Sequence, residues 1–214
     1  MRAIAKNAEP PSLTAHRKTA HSDYQNYADK CALRQALVSE QRGICCYCMG
    51  RIRNGPLTMK IEHWRSLGRY PADQLSYVNL LGACMGGQGQ PARLQHCDTR
   101  KGERDLQWNP ANPAHHIESS VRFDADGSIR SDDEVFDAQI ADVLNLNMIF
   151  LKNNRKAVWV GIVEWWKMEK ARLKGPIPRA RIQAERDRRI AGAGNLDPFC
   201  QVGIYWLDQR LAQT

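Results

Sequence analysis

Four cysteines have the residue type, and in part the spacing, that a structural zinc ion requires. Cys45 and Cys48 form a C-x2-C pair followed by Gly50, which is the form of a zinc knuckle. Structural zinc takes four ligands in a tetrahedron, usually as two close pairs that the fold brings together. We expect Cys84 and Cys97 to supply the second pair, although their longer separation requires a glycine-rich loop to close between them.

The other three of the seven cysteines have weaker claims to a metal ion. Cys46 is an alternative to Cys45, but Cys45 keeps the regular spacing to Cys48. Cys31 and Cys200 lie in helical patterns, where a small apolar residue is the simpler interpretation. Because the chain has no apolar run that could span a bilayer and no signal-peptide core, we expect a cytoplasmic protein without a membrane partner. In that reducing compartment, paired cysteines favour metal ligands over disulfides.

Between the cysteine pairs lie residue types suited to the hydrolysis of a phosphodiester. They are Glu62 and His63 at the end of a predicted strand, Asn79 before a short apolar run, and Asp98 and Lys101 after a cysteine. Hydrolysis needs a base for water and a cation for the charge that grows on the phosphate. Histidine suits the base, and Mg²⁺ favours one or two carboxylates together with phosphate oxygens and water. The pattern predicts a metal-dependent hydrolytic site.

The order of these motifs resembles that of the HNH, or ββα-metal, endonucleases over residues 44–103. That family has an Asp-His or Glu-His at a strand end, an Asn before an apolar run, and a Cys-x-x-x-Lys-Gly segment. The whole chain also resembles the HNH nucleases of Septu-type anti-phage systems, which are found beside retrons as well. The segments that carry this wider resemblance are GICCYC, EHWRSL, SYVNLLGAC, HCDTRKGE and LDPFC.

The resemblance implies an activity, partners and a role for each residue. The expected activity is hydrolysis of DNA, with an ATPase as protein partner and a retron reverse transcriptase and its nucleic acid as a further candidate. Consistent with a separate ATPase, the chain has no nucleotide-binding loop of its own. Within the site, Asn79 would orient the general base His63, and Lys101 would meet the substrate phosphate. Glu62 and Asp98 would bind the catalytic Mg²⁺ or Mn²⁺, and the cysteine quartet the structural zinc.

One position departs from the family pattern, and it leaves alternatives open. The third position is often Asn or His, whereas here it is Asp98, and His96 is therefore an alternative ligand for the catalytic ion. Two other functions also remain. The site would cleave RNA, such as tRNA, with the same residues, or it has decayed and left a zinc-binding nucleic-acid adaptor.

The elements that position these residues predict an α+β fold with a small zinc-braced ββα-metal core. We divide the chain into an N-terminal arm and helix (1–43), the nuclease core (44–113), and a β-hairpin with a mainly helical region that we expect to bind a partner (114–214). Residues 1–28 are predicted to be irregular and residues 58–63 to form a strand. Helices are predicted at 29–41, after 131, at 149–173 and near 198–212, and a hairpin is predicted at 121–130.

The charge balance is compatible with a polyanionic partner. The chain has 31 Lys and Arg against 23 Asp and Glu, a net charge of +8, and basic side chains release counterions when they meet phosphates. Five arginines lie close together and predict either a phosphate-binding stripe or a solvated helix face; they are Arg179, Arg181, Arg186, Arg188 and Arg189.

Overall fold

The computed structural model describes residues 1–213, and within them the fold is α+β, as predicted. Its elements in chain order are α1 (Pro11–Arg17), α2 (Lys30–Glu40), β1 (Lys60–His63), β2 (Leu80–Ala83), α3 (Cys97–Lys101), β3 (Arg122–Phe123), β4 (Ile129–Arg130), α4 (Glu134–Ala138), α5 (Ile149–Leu173), α6 (Arg179–Arg188) and α7 (Cys200–Leu211). The strands form two antiparallel hairpins, and the C-terminal region is mainly helical.

The β1–β2 hairpin and the short helix α3 form the part of the fold that carries the candidate site. The hairpin pairs His63 with Leu80 at one end and Lys60 with Ala83 at the other. The remaining edge of β2 is closed by the side chain of Gln41, whose amide donates to the carbonyl of Gly82 (2.8 Å) and accepts from its N–H (2.5 Å). Because an exposed strand edge is open to further pairing, this contact confines the sheet to two strands.

The main hydrophobic core joins all three of the segments predicted from the sequence. It contains Leu33 and Leu37 of α2, both strands of the first hairpin, and Leu151 of α5. A smaller cluster lies between α5, α6 and α7 and includes Ile162, Ile182 and several other apolar side chains. The hairpin that bears the site is therefore packed into the same core as the helices on either side of it.

Most of the predicted elements are confirmed, and the differences have local causes. Helices α2, α5 and α7 and the second hairpin lie where they were predicted. The prediction of an irregular arm is wrong over Pro11–Arg17, where a proline in the first turn and the fully buried Leu13 start and anchor α1. Strand β1 begins two residues later than predicted, because Thr58 is held in a turn by its hydroxyl bond to Arg53. A π-helical turn, Gln139–Val143, follows α4.

The described helices include none with the length and apolar character needed to cross a lipid bilayer.

Candidate metal sites and cleft

The four predicted cysteines meet in one buried cluster. Their sulfur atoms all lie within 4.8 Å of one another, with 3.9 Å between Cys45 and Cys97 and 3.7 Å between Cys48 and Cys84. A tetrahedral zinc ion with Zn–S bonds of about 2.3 Å needs sulfur atoms roughly 3.8 Å apart. The cluster therefore has the donor type, number and spacing of a structural zinc site.

The first half of this cluster is a tight knuckle. The N–H of Cys45 donates to the carbonyl of Gly50 (2.8 Å), and the N–H of Met49 donates to the carbonyl of Cys45 (3.1 Å). The N–H of Gly50 also donates to the sulfur of Cys48 (3.3 Å). These bonds direct both sulfur atoms to the same side. Cys46, the alternative ligand, lies outside the cluster and donates its N–H to Gly82 of β2 (3.0 Å).

The second half is brought together by the loop between β2 and α3, which closes through glycine as the sequence required. Gly86 has a φ of +56°, and a Cβ atom at this position would lie 2.2 Å from the carbonyl oxygen of His96. That close approach accompanies a hydrogen bond from the N–H of His96 to the carbonyl of Gly86 (2.9 Å). Cys84 and Cys97, on either side of this loop, therefore reach one another because the loop between them folds back on itself.

The thiols of this cluster cannot all ionise unless a cation is present. Burial, and then the hydrogen bonds with the other thiols, raise the pKa of Cys97. For Cys45 the effect of burial is outweighed by hydrogen bonds from the neighbouring thiols, and its pKa falls. The contacts among the thiols thus lower the pKa values of Cys45 and Cys48 and raise those of Cys84 and Cys97, so the cluster ionises only in part and keeps its other protons. A divalent cation would replace those protons, which is the chemistry that a four-cysteine zinc site requires.

His96 belongs to the cysteine cluster and not to the cleft. Its Nδ1 lies 3.1 Å from the sulfur of Cys97 and 3.9 Å from that of Cys84. This position contradicts the alternative prediction that His96 binds the catalytic ion in place of Asp98.

Three of the remaining candidate residues, Glu62, His63 and Asp98, line a cleft of about 180 Å³ on the other side of α3. The cleft lies between the end of β1, the start of α3 and the N-terminal segment, and is lined by Tyr24, Ile61, Glu62, His63, Ser66, Leu67, Asp98, Gly102 and Glu103. Cys97 and Asp98 are neighbours in the chain, yet Cys97 belongs to the cysteine cluster and Asp98 lines the cleft. One turn of helix thus connects the two sites.

Glu62 and Asp98 bring two carboxyl groups together at the base of the cleft. Each lies within hydrogen-bonding reach of the other. Glu62 Oε1 accepts from the hydroxyl of Tyr47 (2.7 Å) and pairs with Lys101 Nζ (2.9 Å), and Asp98 Oδ2 pairs with Lys60 Nζ (3.0 Å). Burial, and then the adjacent Asp98, raise the pKa of Glu62. A divalent cation between the carboxylates would relieve this repulsion, so the pair fits a Mg²⁺ or Mn²⁺ site.

His63 is held as a neutral imidazole with one nitrogen free. Its Nε2 donates to the carbonyl of Gln74 (3.0 Å), which leaves the proton off Nδ1. Within residues 1–213, Nδ1 has no hydrogen-bond partner. Burial lowers the pKa of His63 to about 4, so the ring is uncharged near neutral pH. A neutral ring with an open, unprotonated nitrogen is the form in which histidine accepts a proton.

Asn79 fixes the loop that orients His63. Its Oδ1 accepts from the N–H of Arg65 (2.7 Å), and its Nδ2 donates to the carbonyls of Arg65 (3.0 Å) and Asp73 (3.1 Å). Asp73 is next to Gln74, whose carbonyl holds the imidazole. The buried amide of Asn79 therefore fastens both ends of the loop between β1 and β2, and acts on His63 through the backbone.

Lys101 lies under the cleft, where it does not reach a substrate. Only 1% of its side chain is exposed, and its ammonium group contacts Glu62 and donates to the carbonyl of His63 (3.0 Å). This position contradicts the predicted contact with the substrate phosphate. The spacing after Cys97 places Lys101 on the inner side of α3, so its charge neutralises Glu62 and holds the end of β1.

Two residues at this site were missed by the sequence analysis. The ring of Tyr24 packs edge-on against His63, with 4.4 Å between the ring centroids, although residues 1–28 were assigned to an irregular arm. Tyr47 lies inside the zinc knuckle and hydrogen-bonds Glu62. Neither has a local sequence signal, because each contact joins segments separated in the chain.

Most of the arginines in residues 179–189 form ion pairs with carboxylates. Arg181 pairs with Glu169, Arg186 with Asp208, and both Arg188 and Arg189 with Glu185. Such pairs favour the interpretation of a solvated helix face over a phosphate-binding stripe.

No protein-family model matches the chain, and no curated protein is significantly similar to it.

Proposed function

We propose that the protein is a metal-dependent endonuclease of the HNH type that hydrolyses DNA phosphodiester bonds. The observation that carries this proposal is the arrangement of His63 beside Glu62 and Asp98. A neutral histidine with an open nitrogen shares one small cleft with a pair of carboxylates. These groups are held by a hairpin, by the loop that Asn79 fixes and by a short helix. This order of elements is the one expected of a ββα-metal site.

The residues of the cleft divide the chemistry between them. His63 accepts the proton of the attacking water at Nδ1, because Nε2 is occupied by Gln74. Glu62 and Asp98 are placed to hold the catalytic ion, and Lys101 keeps Glu62 in position. A bound Mg²⁺ or Mn²⁺ would supply the positive charge that offsets the charge growing on the phosphate and on the leaving oxygen. The zinc site braces α3 and hence Asp98.

DNA is the preferred substrate in this proposal, because attack by external water needs no 2′-hydroxyl group. The positive net charge supports a nucleic acid of either kind. RNA cleavage and an inactive adaptor are the outcomes that the test must separate from DNA cleavage.

The test compares the wild type with two His→Asn variants. His63→Asn removes the base, whereas His116→Asn is the matched control, since His116 is exposed and has a left-handed φ that Asn tolerates. Supercoiled plasmid and tRNA are incubated with Mg²⁺ or Mn²⁺. We expect plasmid cleavage by the wild type and by His116→Asn, and a loss of about 10²- to 10⁴-fold in His63→Asn.

Other results would redirect or overturn the proposal. Cleavage of tRNA alone would replace DNA with RNA as the substrate. Equal activity in both variants would exclude His63 as the base. If phage protection persists in His63→Asn cells while neither polymer is cut, the protein is a zinc-binding adaptor and not an enzyme.

We further propose that a partner ATPase directs the nuclease, with a retron reverse transcriptase and its nucleic acid as a second candidate assembly. Support comes from the solvent-facing side of α5, where Phe150 is 60%, Val160 48% and Met168 70% exposed. Co-purification of the native operon proteins tests this, with Met168→Lys expected to weaken the complex. Recovery of the nuclease without an associated ATPase would contradict the proposal.

A further inference from the structure

The N-terminal segment forms one wall of the cleft and brings an unpaired hydroxyl group to it. Tyr24 packs against His63, and its N–H donates to the side chain of Gln74 (3.0 Å), the residue whose carbonyl holds the imidazole. The hydroxyl of Tyr24 has no hydrogen-bond partner within the described part of the chain. Burial raises the pKa of Tyr24, and the charges of Arg34 on α2 and of Asp98 in the cleft act on it in opposite directions.

Arg34 is half-buried, yet it makes no hydrogen bond and no ion pair with any residue of 1–213. Its Nε is buried without a hydrogen-bond partner, and its guanidinium forms no ion pair with any carboxylate of residues 1–213. A half-buried guanidinium has lost part of its hydration, and without an anion no new interaction offsets that cost in free energy. Arg34 is therefore poised to bind an anion that the chain itself does not supply.

Lys30 adds a second cation on the same face of α2. It lies one helical turn before Arg34, and residues four apart on a helix are neighbours on its surface. Its ammonium group sits over the ring of Tyr24, 4.8 Å from the centroid. Tyr24, which lines the cleft, therefore offers a hydroxyl donor next to two cations of α2, and these are the groups that proteins use to hold phosphate oxygens.

We infer that Tyr24 and Arg34 form a phosphate-binding subsite that takes a phosphodiester of the DNA strand next to the bond being cut. The inference rests on the proposed nuclease function, since it places this phosphate beside the His63 cleft. It also supplies the phosphate contact that buried Lys101 does not make. The raised pKa of Tyr24, about 12, keeps its hydroxyl protonated as a donor.

Binding to DNA tests the subsite without relying on cleavage. All variants carry His63→Asn so that the DNA stays intact, and the probe is a fluorescein-labelled duplex of about 20 base pairs in Mg²⁺, followed by anisotropy over a range of salt concentrations. The test variants are Tyr24→Phe and Arg34→Gln. Their matched controls are Tyr27→Phe, whose hydroxyl bonds Ser12 away from the cleft, and Arg53→Gln, which removes one charge from an exposed side chain.

We expect Arg34→Gln to weaken binding about tenfold and to reduce the slope of log K against log salt by about 0.9, the value for one lost phosphate contact. Tyr24→Phe should weaken binding several-fold with the slope unchanged, because it removes a hydrogen bond and no charge. Equal unfolding temperatures and zinc contents show that the variants are folded.

The failure of this inference is distinguishable from failure of the proposed function. If Arg34→Gln and Tyr24→Phe bind DNA like their controls while the wild type cuts DNA, the subsite is refuted and the nuclease stands. If the wild type cuts no nucleic acid but both test variants lose affinity and Arg34→Gln also has the smaller salt slope, Tyr24 and Arg34 bind a DNA phosphate, but the nuclease proposal fails.

Discussion

Replacing Lys101 with methionine separates a structural role from a contact with substrate. The ammonium group of Lys101 lies 2.9 Å from Glu62 Oε1, and the two side chains are 1% and 2% exposed. Methionine fills a similar volume but leaves the buried Glu62 carboxylate without its cation. Removing one partner of a buried ion pair destabilises a protein by about 3–5 kcal/mol.

The lower end of that range applies here. Tyr47 still donates to Glu62 in the variant, and the pKa of Glu62 is already raised, so proton uptake limits the loss. We therefore expect a loss of about 3 kcal/mol, which lowers the melting temperature of a chain of this length by roughly 6–12 °C. Thermal unfolding of the zinc-loaded protein measures it.

A matched control and a second substitution complete the experiment. Lys167→Met removes a lysine that is 65% exposed and pairs with Glu164, and it should lower stability by less than about 1 kcal/mol. Adding Glu62→Gln to Lys101→Met should be less damaging than the sum of the two single changes, because the unpaired charge is gone. The reasoning is refuted if Lys101→Met is as stable as Lys167→Met but loses affinity for DNA, since that result would place Lys101 at the substrate.

Three further expected outcomes concern the loop that Asn79 holds, the cysteine cluster and the ion pairs of Glu169 on α5. Asn79→Ala should lower the free energy of unfolding by about 1–3 kcal/mol. It should also lower kcat for cleavage while KM and the affinity for DNA change little. A change in DNA affinity alone would contradict the role of Asn79 in positioning His63. Cys84→Ser should lose the zinc ion and much of the fold in metal analysis and circular dichroism, whereas exposed Cys31→Ser should keep both; full zinc content in Cys84→Ser would refute the assignment. Hydrogen bonds from Arg181 and then Arg172 lower the pKa of Glu169 from 4.5 to about 2, so its stabilising effect should be present above pH 4.5 and be lost as the pH falls to 2. Glu169→Gln should flatten unfolding temperature against pH in that window, and an unchanged profile would exclude the linkage.

The zinc quartet could be predicted because cysteine has few other uses at that spacing. Cys45 and Cys48 form a local pattern, and the chain offers few partners for them. The long step from Cys84 to Cys97 was the weak point, and Gly86 resolves it by allowing a backbone approach that a Cβ would block. Helix α5 was predicted over its full length, because helical periodicity and two following prolines mark it locally.

What the sequence could not supply is the direction in which side chains point across segments. Lys101 was assigned to the substrate from its place in a motif, yet the pitch of a five-residue helix turns it inward to Glu62. His96 was weighed as a ligand of the catalytic ion, but the turn at the start of α3 leaves it beside the sulfur atoms. Tyr24 lines the cleft only because distant parts of the chain pack together, and no local pattern encodes such a contact.

The adjacency of Cys97 and Asp98 gives the two proposed metal ions an order of arrival. Helix α3 is little more than one turn long. Its first residue, Cys97, belongs to the cysteine cluster, and its second residue, Asp98, lines the cleft. Without zinc the turn keeps the contacts of Lys101 with Glu62 and His63 and of Asp98 with Lys60, but it loses its anchor at Cys97, so Asp98 is held less firmly beside Glu62. Under the proposed function, zinc would therefore have to bind before the catalytic ion finds its full set of ligands. Delivery of zinc to a newly synthesised chain would then be the step that makes it able to cut DNA.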